Sequence, residues 1–242
     1  MIQEISLIRL VVILIPALFT VAIFWFWQLD FKHSIYALFR MVLQLLLVGF
    51  FLSYIFGANS PTVIVALVFV MLCIASWIAL RTIPNRRKDL YKYAFFSISI
   101  SGVFVLFIVT QIVLRLTPWY NPRLLIPLAG MIFSNSMTSV SLAAERFFAE
   151  SARGVAFKKA RNTAFSASLI PLLNSLFAVG LVSLPGMMTG QILSGVSPLI
   201  AVRYQIMVMC MLFGASGMAS ASFLMLVGRN YFSEKANQDK IT

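Results

Sequence analysis

The polar side chains that could do chemistry in this chain lie inside apolar stretches, and the densest group is Ser134-Asn135-Ser136-Met137-Thr138-Ser139-Val140-Ser141. At 100° per residue, a helix would align several of them on or beside one face: Ser134, Asn135, Thr138, Ser141 and Glu145. A polar group in hydrocarbon is costly unless it faces protein or water. This polar stripe is therefore a candidate translocation pathway, although hydroxyls also serve to hold neighbouring helices together.

Two further amides extend the predicted pathway. Asn174, followed by Ser175, comes just after Pro171, which removes a backbone hydrogen bond and is expected to kink a helix. If the helices carrying Asn135 and Asn174 are antiparallel neighbours, the two amides could meet near the midplane, where transporters commonly bind their cargo. Gln44 lies one turn after Arg40, which is close enough to a helix end to extend towards the headgroups. The predicted pathway residues are Asn135, Thr138, Ser141, Asn174 and Gln44.

Composition identifies the kind of protein that must position these residues. Apolar residues make up 61% of the 242 residues and charged residues 11%, against about 45–50% and 25% in soluble domains. A transmembrane helix needs about 20 apolar residues, so the chain has material for about seven. The apolar segments are 10–29, 35–56, 62–80, 94–116, 124–144, 163–184 and 203–227. We expect an all-α polytopic membrane protein, with one transmembrane domain over 1–228 and a polar cytoplasmic tail over 229–242.

The distribution of basic residues predicts the orientation. Placing Arg81–Tyr93 in the cytoplasm also places the segment 145–162 and the tail there, and most of the 19 Lys and Arg residues are then inside. Alternation then gives seven spans, with the N-terminus outside and the C-terminus inside. We expect the protein in a cell membrane, and the bacterial inner membrane is the favoured location. The net charge of +12 is therefore interpreted as topology signals and lipid contacts rather than as a nucleic-acid surface.

Several kinds of chemistry are excluded or disfavoured. There is no nucleotide-binding G-x-x-x-x-G-K-[ST] motif and no recognisable catalytic or zinc constellation, so we expect no enzymatic activity of the chain itself. Met211, Met218 and Met225 recur every seven residues, which is more often packing than a soft-metal site. Any metal ligands remain unknown. The small residues around Gly214 to Ala221 predict close helix contact, within one subunit or across a dimer.

The run from Ser183 to Gln191 is too apolar for an ordinary loop, and its Pro and Gly residues disfavour a stable helix. Irregular backbone at membrane depth survives only where it is buried or lines water. We therefore predict a re-entrant or broken-helix gate at the outer end of the pathway, the alternative being a plain external turn. The predicted gate residues are Pro185, Gly186, Met187, Met188, Gly190 and Gln191.

The segment from Arg123 to Phe213 resembles one family. Its most specific stretch is Ser183-Leu184-Pro185-Gly186-Met187-Met188, supported by Ile126-Pro127-Leu128-Ala129-Gly130 and by Leu169-Ile170-Pro171 with Asn174-Ser175. Arg40, Gln44 and the run Tyr54-Ile55-Phe56 match further upstream. The sequence is similar to the ABC-type permeases of the iron-export family, which include plant aluminium-sensitivity permeases.

The resemblance implies a permease that pairs with a separate cytoplasmic ABC ATPase, as two permeases and two ATPases, with ATP and Mg bound by the ATPase and no cofactor bound by this chain. Iron or another metal ion is the implied cargo. A nucleotide-sugar exporter and a membrane scaffold without ATPase coupling are the alternatives. The expected ATPase contact is the cytoplasmic segment containing Glu150, Arg153, Lys158 and Lys159.

The predicted orientation can be tested with single cysteines. Asn59→Cys is expected to react with a membrane-impermeant thiol reagent in intact cells, because its loop is predicted to be external, whereas Asn85→Cys is expected not to react. The opposite labelling pattern would invert the whole topology.

Overall fold

A computed structural model describes the backbone of residues 6, 11–57 and 60–238 and the side chains of residues 6, 11–49 and 60–228. Within these residues the regular elements are helical and no β-strand occurs, which confirms the all-α fold. The chain divides into two compact units, Met1–Asn59 and Ser60–Thr242. A single domain over 1–228 remains a prediction. Asn59, the proposed labelling position, lies outside the described residues.

The first unit is a pair of helices in contact, α1 (Leu14–Phe26) and α2 (Phe31–Gly57). Asp30 caps α2, because its carboxylate oxygen Oδ1 accepts a hydrogen bond from the backbone N–H of His33 at 3.1 Å. The 13 residues of α1 span only about 20 Å at 1.5 Å per residue. Helix α1 is therefore shorter than the hydrocarbon layer.

The second unit is a helical bundle. Its α-helices are α3 (Pro61–Ala79), α4 (Arg87–Phe107), α5 (Pro122–Ala152), α6 (Phe157–Ala178), α7 (Gly186–Leu193) and α8 (Pro198–Gln238). A 3₁₀ turn, Pro84–Arg86, precedes α4, and a π-helical turn, Ile108–Val113, extends it. Helix α8 contacts α4, α5, α6 and α7, and α5 also contacts α3, α4 and α6. Helices α5 and α8 therefore form the centre of the bundle.

Proline sets where three of the long helices begin. Pro61, Pro122 and Pro198 are the first residues of α3, α5 and α8, where the fixed φ suits a helix and the missing N–H would have no partner anyway. Asn121 completes the start of α5, because its Oδ1 accepts a hydrogen bond from the backbone N–H of Arg123 at 3.1 Å.

Five helices of the described part are long and apolar enough to cross a membrane: Phe31–Gly49, Pro61–Ala79, Pro84–Val113, Pro122–Ala152 and Pro198–Gly228. A polytopic helical membrane protein is thereby confirmed, while seven spans and their orientation remain predictions. The predicted sixth span, 163–184, was wrong at its end. Helix α6 ends at Ala178 because Val179 adopts an extended conformation, with φ −63° and ψ 130°.

The segment 145–162 was expected to be a long cytoplasmic loop and is instead a helical hairpin. Helix α5 continues to Ala152, and α6 begins at Phe157. Gly154 allows the tight turn because it can adopt a left-handed conformation, with φ +77°. Two hydrogen bonds close the turn: the N–H of Gly154 donates to the carbonyl of Ser151, and the N–H of Val155 donates to the carbonyl of Glu150. The 31 residues of α5 extend about 46 Å, so the helix is longer than a hydrocarbon layer of about 30 Å.

The predicted polar tail is also helical where it is described, because α8 continues through Gln238. Residues 239–242 of this tail lie outside the described residues. Further back along α8, the predicted close contact of small residues is confirmed within the subunit. Ala215, Ser216, Ala219 and Ser220 are each 0% exposed, as expected where backbones approach closely.

Helices α4 and α5 also meet at a glycine. A β-carbon on Gly102 of α4 would lie 2.7 Å from Cε1 of Phe133 on α5 and 3.3 Å from Cγ2 of Ile132. Phe133 is only 2% exposed, so its ring has little room to move away. The crossing of the two helices therefore requires a residue without a side chain at this position.

Gly102→Ala is expected to destabilise the bundle by about 1–3 kcal/mol, because overpacking a close-packed core forces its neighbours to shift. The thermal unfolding midpoint of the purified protein in detergent should fall by several degrees. Gly217→Ala, on α8, is the matched control, because nothing lies within 4 Å of the β-carbon it would carry. Equal midpoints for the two variants would contradict this account of the crossing.

Candidate functional site

The polar stripe of α5 faces outwards from the bundle. Ser134, Thr138 and Glu145 are exposed, and Asn135 and Ser141 are half-buried. The opposite face of the same helix contains Ile132, Phe133, Ser136, Val140 and Ala143, all buried. The predicted alignment of the stripe on one helix face is therefore confirmed. Within the second unit, the stripe lies largely on the surface of the bundle rather than between its helices.

Donors of the stripe are used within α5. The hydroxyl of Ser134 and the amide nitrogen of Asn135 both donate to the carbonyl of Met131, at 3.2 and 2.9 Å. Thr138 Oγ1 donates to the carbonyl of Ser134 at 3.0 Å. A hydroxyl or amide that donates in this way keeps lone pairs on its oxygen. The stripe consequently presents mainly acceptor oxygens to whatever lies against it.

Helix α6 carries the second predicted amide. Ser175 Oγ donates to the carbonyl of Pro171 at 3.0 Å, and Asn174 is exposed. Pro171 lies inside a continuous helix. Although α5 and α6 are in contact, no hydrogen bond among the described side chains joins Asn135 to Asn174, so the structure does not bring these amides together as a pair. Gln44 is exposed on α2, in the first unit, and its place in a pathway stays a prediction.

The predicted gate contains a regular helix, and the expectation that Pro and Gly would prevent one was wrong. Pro185, with φ −63°, is the N-cap of α7, which runs from Gly186 to Leu193. Gly186 and Gly190 have ordinary helical geometry and open space around the position of a β-carbon. The left-handed conformations fall instead on the flanking Gly180 and Gly195, with φ +82° and +90°.

Helix α7 is attached to α8 by contact and by a tight turn. The N–H of Gly195 donates to the carbonyl of Ile192, and the N–H of Val196 donates to the carbonyl of Gln191, each at 3.0 Å, the pattern that ends a helix at a left-handed glycine. Met187, Met188 and Gln191 are half-buried. Eight residues span about 12 Å, so α7 alone cannot cross a membrane. A gating role stays a prediction.

The tip of the α5–α6 hairpin holds an ion pair that the sequence did not reveal. Glu150 is 8% exposed, and its Oε1 lies 2.7 Å from Nη2 of Arg146 and 3.8 Å from Nη1 of Arg153. Glu150 was predicted as part of the ATPase contact, yet it is buried against its own helix, because a carboxylate so buried needs its partner. Arg153, Lys158 and Lys159 are exposed and are the charges this tip presents to a partner.

Phe157, the first residue of α6, ties the hairpin to the rest of the bundle. Its ring meets that of Phe147 edge to face, with centroids 6.1 Å apart. A β-carbon on Gly228 of α8 would overlap the same ring. The base of α6 is thus held against α8 at Gly228. The sequence signal for this contact was only a glycine at the end of an apolar segment, which could not identify the aromatic partner.

A second contact at the same end was also missed. Thr82, in the connection between α3 and α4, places its Oγ1 3.4 Å from both the carbonyl oxygen and the hydroxyl of Ser141. The guanidinium of Arg86 lies over the ring of Phe148, 5.0 Å from its centroid. Between this connection and the end of α5 is a cleft of about 370 Å³, lined by Thr82–Arg86, Phe148 and Ala152. We call it the α3–α4 cleft.

His, Cys, Asp and Glu are the residues that most often form metal-binding clusters. In the part of the chain that the structure describes, no three of these side chains come together. The methionines of α8 also differ in environment, since Met211 is 3% and Met225 55% exposed.

Comparison with known proteins places this architecture in a family. Residues 7–154 and 151–232 match the family described as "Uncharacterised protein family (UPF0014)". A membrane protein of Synechocystis, UPF0014 membrane protein slr1647, is 35% identical over 210 residues, covering 81% of each chain. No solved structure matches the chain.

Two further relatives have names that refer to transport or to aluminium. The probable iron export permease protein FetB of Escherichia coli is 30% identical over 222 residues, which cover 84% of this chain and 83% of that protein. The Arabidopsis protein ALUMINUM SENSITIVE 3 is 33% identical over 218 residues, covering 84% and 78%. The membrane-spanning helices, the extent of the match and these identities show that the chain belongs to the UPF0014 family of membrane proteins.

Proposed function

We propose that this chain is the membrane-spanning permease subunit of an ABC-type exporter whose cargo is a metal cation, with iron as the leading candidate. The observation that carries the proposal is the polar stripe of α5, on the outer face of a helix long enough to cross the membrane. The relative named as a probable iron export permease supports the choice of cargo. Hydrolysis of ATP is assigned to a separate ATPase subunit, which binds ATP and Mg.

The exposure of the stripe argues for a second copy of the chain. Ser134 and Thr138 face away from the bundle, and polar groups at membrane depth face protein or a water-filled cavity. Two copies that place their α5 helices towards each other would enclose the stripe between them. The pathway is then shared by the dimer, and each subunit contributes one wall.

The chemistry of the stripe suits a cation. The hydroxyls of Ser134 and Thr138 and one N–H of the Asn135 amide donate to the carbonyls of Met131 and Ser134, so the oxygens of Asn135 and Thr138 remain as acceptors. Neutral oxygen ligands bind a metal ion weakly compared with carboxylates and imidazoles. Weak binding is useful in a pathway, because an ion held tightly would not leave.

Energy coupling is assigned to the α5–α6 hairpin. Helix α5 is longer than the hydrocarbon layer, and the buried pair of Glu150 with Arg146 stiffens its end. The exposed charges Arg153, Lys158 and Lys159 stand at the tip. A movement of the ATPase against this tip would be transmitted along one continuous helix to Asn135 in the stripe. The role of the hairpin as the ATPase contact is part of the proposal.

The coupling assignment can be tested by charge reversal. Combining Arg153→Glu, Lys158→Glu and Lys159→Glu should abolish ATP hydrolysis stimulated by the permease, because the surface then repels the partner it had attracted. Hydrolysis is measured with the co-purified P-loop ATPase in proteoliposomes. The control combines Arg115→Glu with Arg123→Glu. Both arginines are exposed and lie in the region that connects α4 to the start of α5, far along α5 from the hairpin tip. Unchanged stimulation in the triple variant would move the contact elsewhere or support a scaffold without coupling.

The sign of the cargo can be tested at Asn135. Asn135→Asp is expected to retain transport of a divalent metal, whereas Asn135→Lys is expected to reduce it at least tenfold, because a fixed positive charge in the pathway repels a cation. Uptake of Fe²⁺ into inside-out vesicles measures both, with surface expression as the control for folding. A nucleotide sugar is anionic and would give the reverse order, which would contradict the metal assignment.

A further inference from the structure

The α3–α4 cleft lies at the depth of lipid headgroups. Helix α3 has 19 residues and is about 28 Å long, close to the thickness of the hydrocarbon layer. The connection that follows its last residue, Ala79, therefore begins where the hydrocarbon ends. The cleft extends from this connection to Ala152, the last residue of α5.

An arginine and a tryptophan mark the same level. Arg87 donates to the carbonyl of Trp77 from Nη2 at 2.7 Å and from Nε at 3.0 Å, and its guanidinium lies 3.9 Å from the centre of the Trp77 ring. Arg87 satisfies a carbonyl at the end of α3, where a positive charge also interacts favourably with the helix dipole. Tryptophan and basic residues are enriched where membrane meets water, so this pair independently places the cleft among the headgroups.

The lining of the cleft is partly polar and partly apolar. Arg86 and Asn85 are exposed and carry a positive charge and an amide, while Ile83, Pro84 and the ring of Phe148 provide an apolar wall. The position of Arg86 is set by its contact with the Phe148 ring. The connection also carries Arg81 and Lys88, both exposed. Such a site suits a molecule that is anionic at one end and apolar at the other.

We infer that the α3–α4 cleft binds the headgroup of an anionic phospholipid, with Arg86 directed at the phosphodiester and Ile83 and Phe148 against the glycerol and the first acyl carbons. The pair of Arg87 and Trp77 beside the cleft favours a lipid over a cytoplasmic protein, because these residue types are enriched at the membrane surface. A lipid bound here touches both the connection after α3 and the end of α5. It would therefore support the inner end of the bundle.

The experiment uses the full chain purified in detergent, with phosphatidylglycerol as the probe and phosphatidylcholine as the zwitterionic comparison. Native mass spectrometry measures retained lipid, and thermal unfolding measures its effect on stability. Phosphatidylglycerol should be retained and should raise the unfolding midpoint, whereas phosphatidylcholine should do neither. Arg86→Gln should weaken phosphatidylglycerol binding about fivefold, as expected for one basic side chain at an anionic surface.

Two variants distinguish specific binding in the cleft from general electrostatic attraction of an anionic lipid to basic residues. Lys88→Gln removes an exposed charge from the same connection but does not line the cleft, and it should bind like the unmodified chain. Ile83→Trp keeps the net charge but fills the cleft, and it should lose binding as Arg86→Gln does. Equal loss in Lys88→Gln, or full binding by either cleft variant, would overturn the inference. Displacement of the lipid by inorganic phosphate at matched ionic strength would assign the cleft to a soluble phosphate instead.

Discussion

A polar group in hydrocarbon has no water to bind, so it must find its partner within the protein. In the described helices, many hydroxyls donate a hydrogen bond to a backbone carbonyl of their own helix. Ser76 donates to the carbonyl of Leu72 at 2.8 Å, Ser101 to that of Ser97 at 2.7 Å, and Thr110 to that of Leu106 at 2.8 Å. Polar residues can therefore lie anywhere along a span, and the bundle is free to assemble by close contact between small side chains.

The same constraint gives the outer face of α5 its significance. Thr138 satisfies its own hydrogen within the helix, yet its oxygen and that of Asn135 still face away from the bundle. A face that combines satisfied donors with exposed acceptors is compatible with a passing cation. The proposed dimer and the proposed cation cargo therefore both rest on this one face of α5.

At the end of the bundle that holds the hairpin, separate contacts fix α3 to α4 and the hairpin to α8. Arg87 donates to the carbonyl of Trp77 near the end of α3, while the ring of Phe157 packs against Gly228 of α8. Glu150 is buried against Arg146, which leaves Arg153, Lys158 and Lys159 as the exposed charges of the tip. The proposed ATPase contact and the proposed lipid site therefore use different side chains at the same end of the bundle.

The amino-acid sequence alone determined the all-α membrane fold, because a 61% apolar composition in long runs leaves no other structure that satisfies the backbone in lipid. It also determined which polar residues of α5 share a face, since helical periodicity is local. Only the tertiary structure decided what that face meets. Three features depend on neighbours distant in sequence or on packing against α8, which helical periodicity does not encode. They are the hydrogen bond between Thr82 and Ser141, which are 59 residues apart, the burial of Glu150 and the helical geometry of Gly186.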